Sequence, residues 1–300
     1  MSFQQINSTC YYFQSSVNIG YVQSGTTGLL IDAGIDKSSI KKVLKELKDR
    51  ELPLTHLFIT HAHADHYGGA AYIQENYEVY TYAPKFEEAI LRNPKLEPLY
   101  LFGGNDPVKE LRNKFLEGES IRIDEVVSEG SLQAGEVEGE IFLLPGHSYH
   151  QLALKANGIL YATDSYFGED ALRKHIIPYI TDADLTIKSL EKLLAIEMEG
   201  AVPGHGPFEK DPSTTIQQNI DVHVKLMNWL ENYIIQKEWV SHESVVAAMC
   251  EHYEVSTPQL SQWLLYRTAV TAYLVALKKD QRIQDDVVGH RWVFHSGAKS

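Results

Sequence analysis

Between Thr60 and His66 the chain reads Thr-His-Ala-His-Ala-Asp-His, three imidazoles and one carboxylate in a single short segment. Upstream, Leu57-Phe58-Ile59 reads as a short buried strand. Downstream, Tyr67-Gly68-Gly69-Ala70-Ala71-Tyr72 reads as the glycine-bearing start of a helix. A strand that runs into a tight loop and then a helix fans these side chains around one point. Neutral imidazole and carboxylate are ligands that zinc, iron and manganese accept. The bland alternative is a polar surface loop that happens to be rich in histidine.

The rest of the chain argues against that alternative, because it supplies further ligands in similar settings. Phe142-Leu143-Leu144-Pro145-Gly146-His147 ends an apolar run with a turn and a histidine. Ile159-Leu160-Tyr161-Ala162-Thr163-Asp164 ends another with an aspartate, and Ala201-Val202-Pro203-Gly204-His205 ends a third with a histidine. Each strand-like segment delivers one ligand at its carboxyl end. The candidate set is therefore His61, His63, Asp65, His66, His147, Asp164 and His205.

This ordered pattern resembles the metallo-β-lactamase superfamily of hydrolases, and more closely its glyoxalase II-like and ribonuclease-like branches. The resemblance covers roughly residues 8 to 210, where strand and ligand signals begin and end. It implies an α/β fold, a four-layer αββα sandwich, with a metal pair at one edge between the sheets. It also implies roles: His61, His63 and His147 on one metal, Asp65, His66 and His205 on the other, and Asp164 bridging. One position departs from the family pattern. The residue before the bridging aspartate is commonly glycine, and here it is Thr163.

Bulk properties fit a folded enzyme. Apolar residues make up 44% and charged residues 22%, which excludes a disordered or fibrous chain. The first residues, Met1-Ser2-Phe3-Gln4-Gln5-Ile6-Asn7, lack the basic and apolar regions of a signal peptide, and no apolar run reaches membrane-spanning length. Cys10 and Cys250 are far apart and outside any ligand motif, which fits two reduced thiols in a cytoplasmic protein. The net charge of −13 repels nucleic acid and acidic membranes at long range. An anionic small molecule could still be drawn to a metal pair.

Strands are expected at Thr9–Gln14, Val17–Gln23 and Gly28–Asp32, then a helix from Lys37 to Arg50 with Ile40, Val43, Leu44 and Leu47 at helical spacing. Asp32 and Gly34 read as turn chemistry. Residues 84–118 carry Pro84, Pro94, Pro98, Gly103-Gly104 and Pro107 among scattered apolar and aromatic side chains. Short helices are expected there, either as a lid over the cleft or as an oligomer contact. His150 and His175 read as supporting or surface residues, and Ser148 as a capping or supporting one.

Periodicity changes near residue 211, which divides the chain into a catalytic domain, 1–211, and a helical C-terminal domain, 212–300. Helices are expected at Thr214–Gln236, Glu243–His252 and Leu260–Lys279, then a hairpin from Arg282-Ile283-Gln284 and Arg291-Trp292-Val293-Phe294. This arrangement is similar to the winged-helix-like tail of one branch of the superfamily. From Pro212 onward, however, eight lysines and arginines face nine aspartates and glutamates. A nucleic-acid reader normally shows a basic surplus, so the tail is expected to serve packing or the pocket.

Two divalent transition metals, zinc first and iron or manganese as alternatives, would make water nucleophilic near neutrality, with Asp65 orienting it. The expected function is hydrolysis of a small-molecule thioester, ester or lactone. The alternatives are a ribonuclease-like phosphodiesterase and a non-enzymatic regulatory protein that keeps the fold.

Overall fold

The computed structural model describes residues 1–297. The first sheet is built from β1 (Ser2–Gln5), β2 (Cys10–Gln14), β3 (Ile19–Ser24), β4 (Thr27–Ile31), β5 (His56–Phe58), β6 (Tyr80–Pro84) and β7 (Glu125–Val127), adjacent in that order. The first four strands pair antiparallel, and β4 to β7 pair parallel. Parallel pairing needs crossovers. These are α1 (Lys37–Asp49), the short α2 (Ala64–Tyr67) with α3 (Ala70–Asn76), and the segment holding α4 (Glu87–Arg92) and α5 (Leu96–Leu101).

The second sheet runs in the order β12 (Gly200–Pro203), β11 (Ile159–Thr163), β10 (Leu152–Ala156), β9 (Val137–Leu143), β8 (Gly130–Ala134). α6 (Glu169–His175) and α7 (Ala183–Ala195) lie between β11 and β12 in sequence. Every residue of β4, β11 and β12 is buried, as expected for strands covered on both faces.

The layers follow from three apolar clusters. Val22, Leu29, Ile31 and Phe58 of the first sheet meet Ile141, Leu152, Leu154 and Tyr161 of the second. The first sheet's other face packs on Ile40, Val43, Leu44 and Leu47 of α1 and Ile73 of α3. Leu160 and Ala201 of the second sheet pack on Leu190 and Leu193 of α7 and on Ile216. Helix, sheet, sheet, helix is the expected four-layer sandwich. Each such aliphatic side chain contributes roughly 1.5 to 3 kcal/mol on burial. Helix α1 starts where Asp36 caps Ser38 and Ser39 in a reciprocal capping box, which adds about 1 kcal/mol.

The C-terminal region holds α8 (Ser213–Ile235), β13 (Val240–Ser241), α9 (His242–His252), α10 (Leu260–Lys279), β14 (Gln284–Val288) and β15 (Arg291–His295). The hairpin extends to a three-stranded sheet through β13, which pairs with β15. Its core joins Leu230, Val246, Tyr273 and Phe294 to Ile177, Ile180 and Ala183 from before α7's first turn is complete. Residues 298–300, including Lys299, lie outside the described residues. Among the described residues, no helix is long and apolar enough to cross a membrane.

The segment 84–118 forms short helices, as expected, and Leu101, Leu111 and Leu116 bury themselves against Leu264 of α10. Arg267 donates to the main-chain oxygen of Leu101 at 2.9 Å. These side chains find their partner in the C-terminal helix of the same chain.

Candidate metal centre

Five strands end at one rim of the sandwich. Asp32 follows β4, His61 and His63 follow β5, His147 follows β9, Asp164 follows β11, and His205 follows β12. The strands β9, β11 and β12 all run in one direction, because β10 is antiparallel to both of its neighbours and β12 is parallel to β11. Helix α2 then carries Asp65 and His66 back over the same rim. The turn is tight: a Cβ on Gly68 would stand 2.1 Å from the Ile35 carbonyl oxygen, so only glycine fits.

The rim brings all seven sequence candidates together. The nitrogens and oxygens of His61, His63 and His147 lie within 4.8 Å of one another, as do those of His61, His66 and Asp164, and those of Asp65, His66 and His205. Asp164 stands centrally, with its carboxylate 3.3 Å from His66 Nε2, 3.3 Å from His147 Nε2 and 3.4 Å from His205 Nε2. Asp65 reaches His205 Nε2 at 3.8 Å.

Four of the five histidines are held from behind. His66 Nδ1 is 2.7 Å from Asp32, His147 Nδ1 is 3.0 Å from the Tyr179 carbonyl, His205 Nδ1 is 2.6 Å from the Ser16 carbonyl, and His61 Nδ1 is 3.1 Å from Thr60 Oγ1. Fixing one ring nitrogen aims the other at the centre. Among the described residues, the buried Nε2 atoms of His61, His63 and His66 and Oδ1 of Asp164 have no hydrogen-bond partner. Orphaned atoms of this kind are costly unless something binds them. Burial holds His61 well below the usual imidazole range, His63 at about 4 and His147 at about 3. These three rings are therefore neutral, the form that ligates metal. Burial also opposes charge on His66, but Asp164, Asp65 and Asp32 outweigh it and raise that group well above the ordinary value. The residues present fit a divalent metal.

Family membership follows from this geometry and from similarity. The family model of the metallo-beta-lactamase superfamily matches residues 13–205. The chain belongs to this superfamily. The Lactamase-like protein adaB of Aspergillus niger is 22% identical over 205 residues, 68% of this chain and 54% of that protein. This chain thus spans about half the length of such fungal relatives. The Probable metallo-hydrolase YqgX of Bacillus subtilis is 26% identical over 205 residues, 67% of this chain and 90% of that protein. A beta-lactamase domain protein from Burkholderia ambifaria shares the fold with a TM-score of 0.75 at 15% identity, covering 99% of this chain and 94% of that one. The metallo-beta-lactamase family protein TTHA1429 from Thermus thermophilus gives 0.70 at 15% identity, with 94% of each chain covered. The superfamily binds divalent metals, and the clustered histidines and aspartates are placed to hold them.

Several residues matter more than the sequence suggested. Asp32 is not turn chemistry alone. Its φ of 64° does make the turn, but its buried carboxylate also accepts from Thr60 N and Oγ1 and pairs with His66. Glu87 had no signal at all. It is buried, and its carboxylate accepts from Ala62 N, Ser148 Oγ and His150 N, tying the His61–His63 loop to the His147 loop. Ser148 is therefore a supporting residue. Glu97 and His175 line the cavity beside the cluster, with Phe115, Phe167 and Leu265. Thr163 takes φ 47°, the left-handed region that a β-branched residue adopts only under strain. This explains why glycine is the common family choice there.

Proposed function

We propose that the protein is a dinuclear metallohydrolase acting on a small-molecule thioester, ester or lactone. The observation that carries this reading is the convergence of five imidazoles, several with unpartnered nitrogens, and two aspartates beside a cavity of about 360 Å³. In this reading His61, His63 and His147 hold one divalent ion, and Asp65, His66 and His205 the other. Asp164 is shared, and zinc is the preferred metal. When bound, such a pair lowers the pKa of water and polarises a substrate oxygen.

The chain's own residues do the rest. Asp65 accepts a hydrogen bond from the attacking water and sets its direction. Asp32 and the Tyr179 carbonyl hold His66 and His147 in register. Phe115, Leu116, Phe167 and Leu265 seat an apolar acyl group and exclude bulk water. Among the described residues, those lining the cavity include no lysine or arginine, which favours an acyl substrate over a polyphosphate backbone. Residues 1–211 carry the chemistry in this reading, and the C-terminal domain completes the cavity wall without gripping nucleic acid.

The test is a hydrolysis screen of thioesters, esters, lactones and single-stranded RNA on metal-replete protein, with Asp65→Ala alongside. Turnover of an acyl compound, reduced by orders of magnitude in folded Asp65→Ala, is expected. Cleavage of RNA alone would replace this reading with the ribonuclease-like one.

A further inference from the structure

The cavity wall holds a carboxylate that neither the metal cluster nor the fold uses. Glu97, on α5, is 3% exposed and lines the cavity. Among the described residues, its Oε2 has no hydrogen-bond partner, and neither does the buried hydroxyl of Tyr179, which lines the same cavity. The apolar residues on that wall, Phe115, Leu116, Phe167 and Leu265, offer no hydrogen bond, and the Tyr100 hydroxyl stands near the same carboxyl without meeting Oε2. Leaving a buried polar atom unpaired costs about 1 to 3 kcal/mol, so such an atom facing a cavity marks where a ligand group belongs. The position is also distinct from the ligand ring: Glu97 belongs to none of the groups that could hold a metal.

We propose that Glu97 is a substrate-recognition residue whose Oε2 accepts a hydrogen bond from an N–H or O–H on the acyl part of an otherwise apolar substrate. The proposal rests on the hydrolase reading above and names its substrate class: acyl compounds with a polar donor a few atoms from the scissile carbonyl. A negative charge placed beside Glu97 is disfavoured, because no lysine or arginine among the described residues lines the cavity to offset that carboxyl. Burial pushes the Glu97 carboxyl up to about 8, with the charges of Glu87 and Asp65 adding to it and the Tyr100 hydroxyl opposing. Both the neutral and the ionised carboxyl accept hydrogen bonds, so the assignment holds in either state.

A matched pair isolates the contact. The S-ethyl thioesters of N-hexanoylglycine and N-hexanoylsarcosine differ only by N–H against N–CH₃. Wild-type, metal-replete enzyme is expected to favour the N–H compound roughly tenfold or more in kcat/KM, since sites built around a hydrogen bond reject analogues that lack it. Glu97→Leu is expected to erase that ratio, chiefly through KM for the N–H compound. Glu97→Gln, which keeps an acceptor oxygen, is expected to retain most of it. Metal content and circular dichroism establish that each variant is folded. A ratio unchanged in Glu97→Leu would overturn the proposal, as would equal loss on both substrates in Leu and Gln variants alike.

Wild-type enzyme that turns over neither thioester would count against the hydrolase reading on these substrates, and Glu97 is then judged by binding. Calorimetry with N-butylhexanamide and its N-methyl derivative gives the second readout. Tighter binding of the N–H amide, lost in Glu97→Leu, supports the assignment. The absence of any preference in wild type sinks it.

Discussion

Replacing Gly204 with alanine should destroy the candidate metal centre without removing any of the seven clustered side chains. Gly204 sits between Pro203, the last residue of β12, and His205, and its N–H donates to the Thr163 carbonyl at 2.8 Å. Its φ lies outside the left-handed region, so alanine carries no backbone penalty there. The obstacle is the side chain itself. A Cβ at 204 would stand 1.9 Å from Asp164 Oδ1 and 3.1 Å from His66 Cε1. To reach ordinary contact, the Asp164 oxygen must retreat by roughly 1.5 Å. Metal–ligand distances tolerate only about 0.2 Å. Asp164 is also the residue that both halves of the cluster approach, so its displacement affects each of them.

The fold should survive at a cost of about 1 to 3 kcal/mol, the usual effect of overpacking. Hydrolysis should fall by about 100-fold or more, since a misplacement of about 1 Å suffices for that. The assay combines elemental analysis after gel filtration, zinc titration against a chromophoric chelator, and circular dichroism of chelator-treated protein. Wild-type metal content and affinity in folded Gly204→Ala would show that Asp164 is not a ligand and that the assigned centre is wrong.

Two further outcomes follow from the same rim. Thr163→Gly should stabilise the protein by about 1 to 2 kcal/mol, because it relieves a left-handed β-branched residue. It also removes a buried hydroxyl that has no partner among the described residues. Thermal denaturation checks this, and a lower midpoint would mean that Thr163 is not strained. Glu87→Ala should cost at least about 3 kcal/mol, since three donors lose their acceptor. It should also weaken zinc binding roughly 10- to 100-fold, as loss of a ligand-supporting contact does. Chelator competition decides between this and a role in packing alone, which would leave affinity unchanged.

The clustering of the seven candidate residues was legible because its grammar is local. Each candidate follows an apolar run that ends in a turn, and strands that end at one rim bring those ends together. The helices α1 and α10 were legible for the same reason: their apolar spacing lies within their own residues, and Asp36 caps α1 locally. What escaped is what depends on remote partners. Glu87 meets Ala62 across 25 positions and Ser148 across 61, and a glutamate in a proline-rich stretch carries no sign of either. Asp32 looked like a turn residue because it is one, and its 34-position reach to His66 is invisible in sequence. Strand β1, with the sequence Ser-Phe-Gln-Gln, is short and half polar, so only its pairing with β2 reveals it.

The same distinction bears on where substrate choice resides. The metal floor is made from strand ends within the span that the family model matches, residues 13–205. The wall is not. Leu265 of α10 lines the cavity beside Glu97, and Arg267 anchors the same helix to Leu101 across 166 positions. Leu264 shares an apolar cluster with Leu101, Leu111 and Leu116, so α10 and the 84–118 segment fix each other's position. A change in α10 moves the wall without touching any of the seven clustered residues, whereas the 84–118 segment also reaches the floor through Glu87. If the proposed hydrolase reading holds, a wall assembled from two distant segments lets specificity change through α10 while the ligand positions stay fixed. On this argument, substitutions at Leu264 and Arg267 should alter which acyl groups are accepted before they alter metal content.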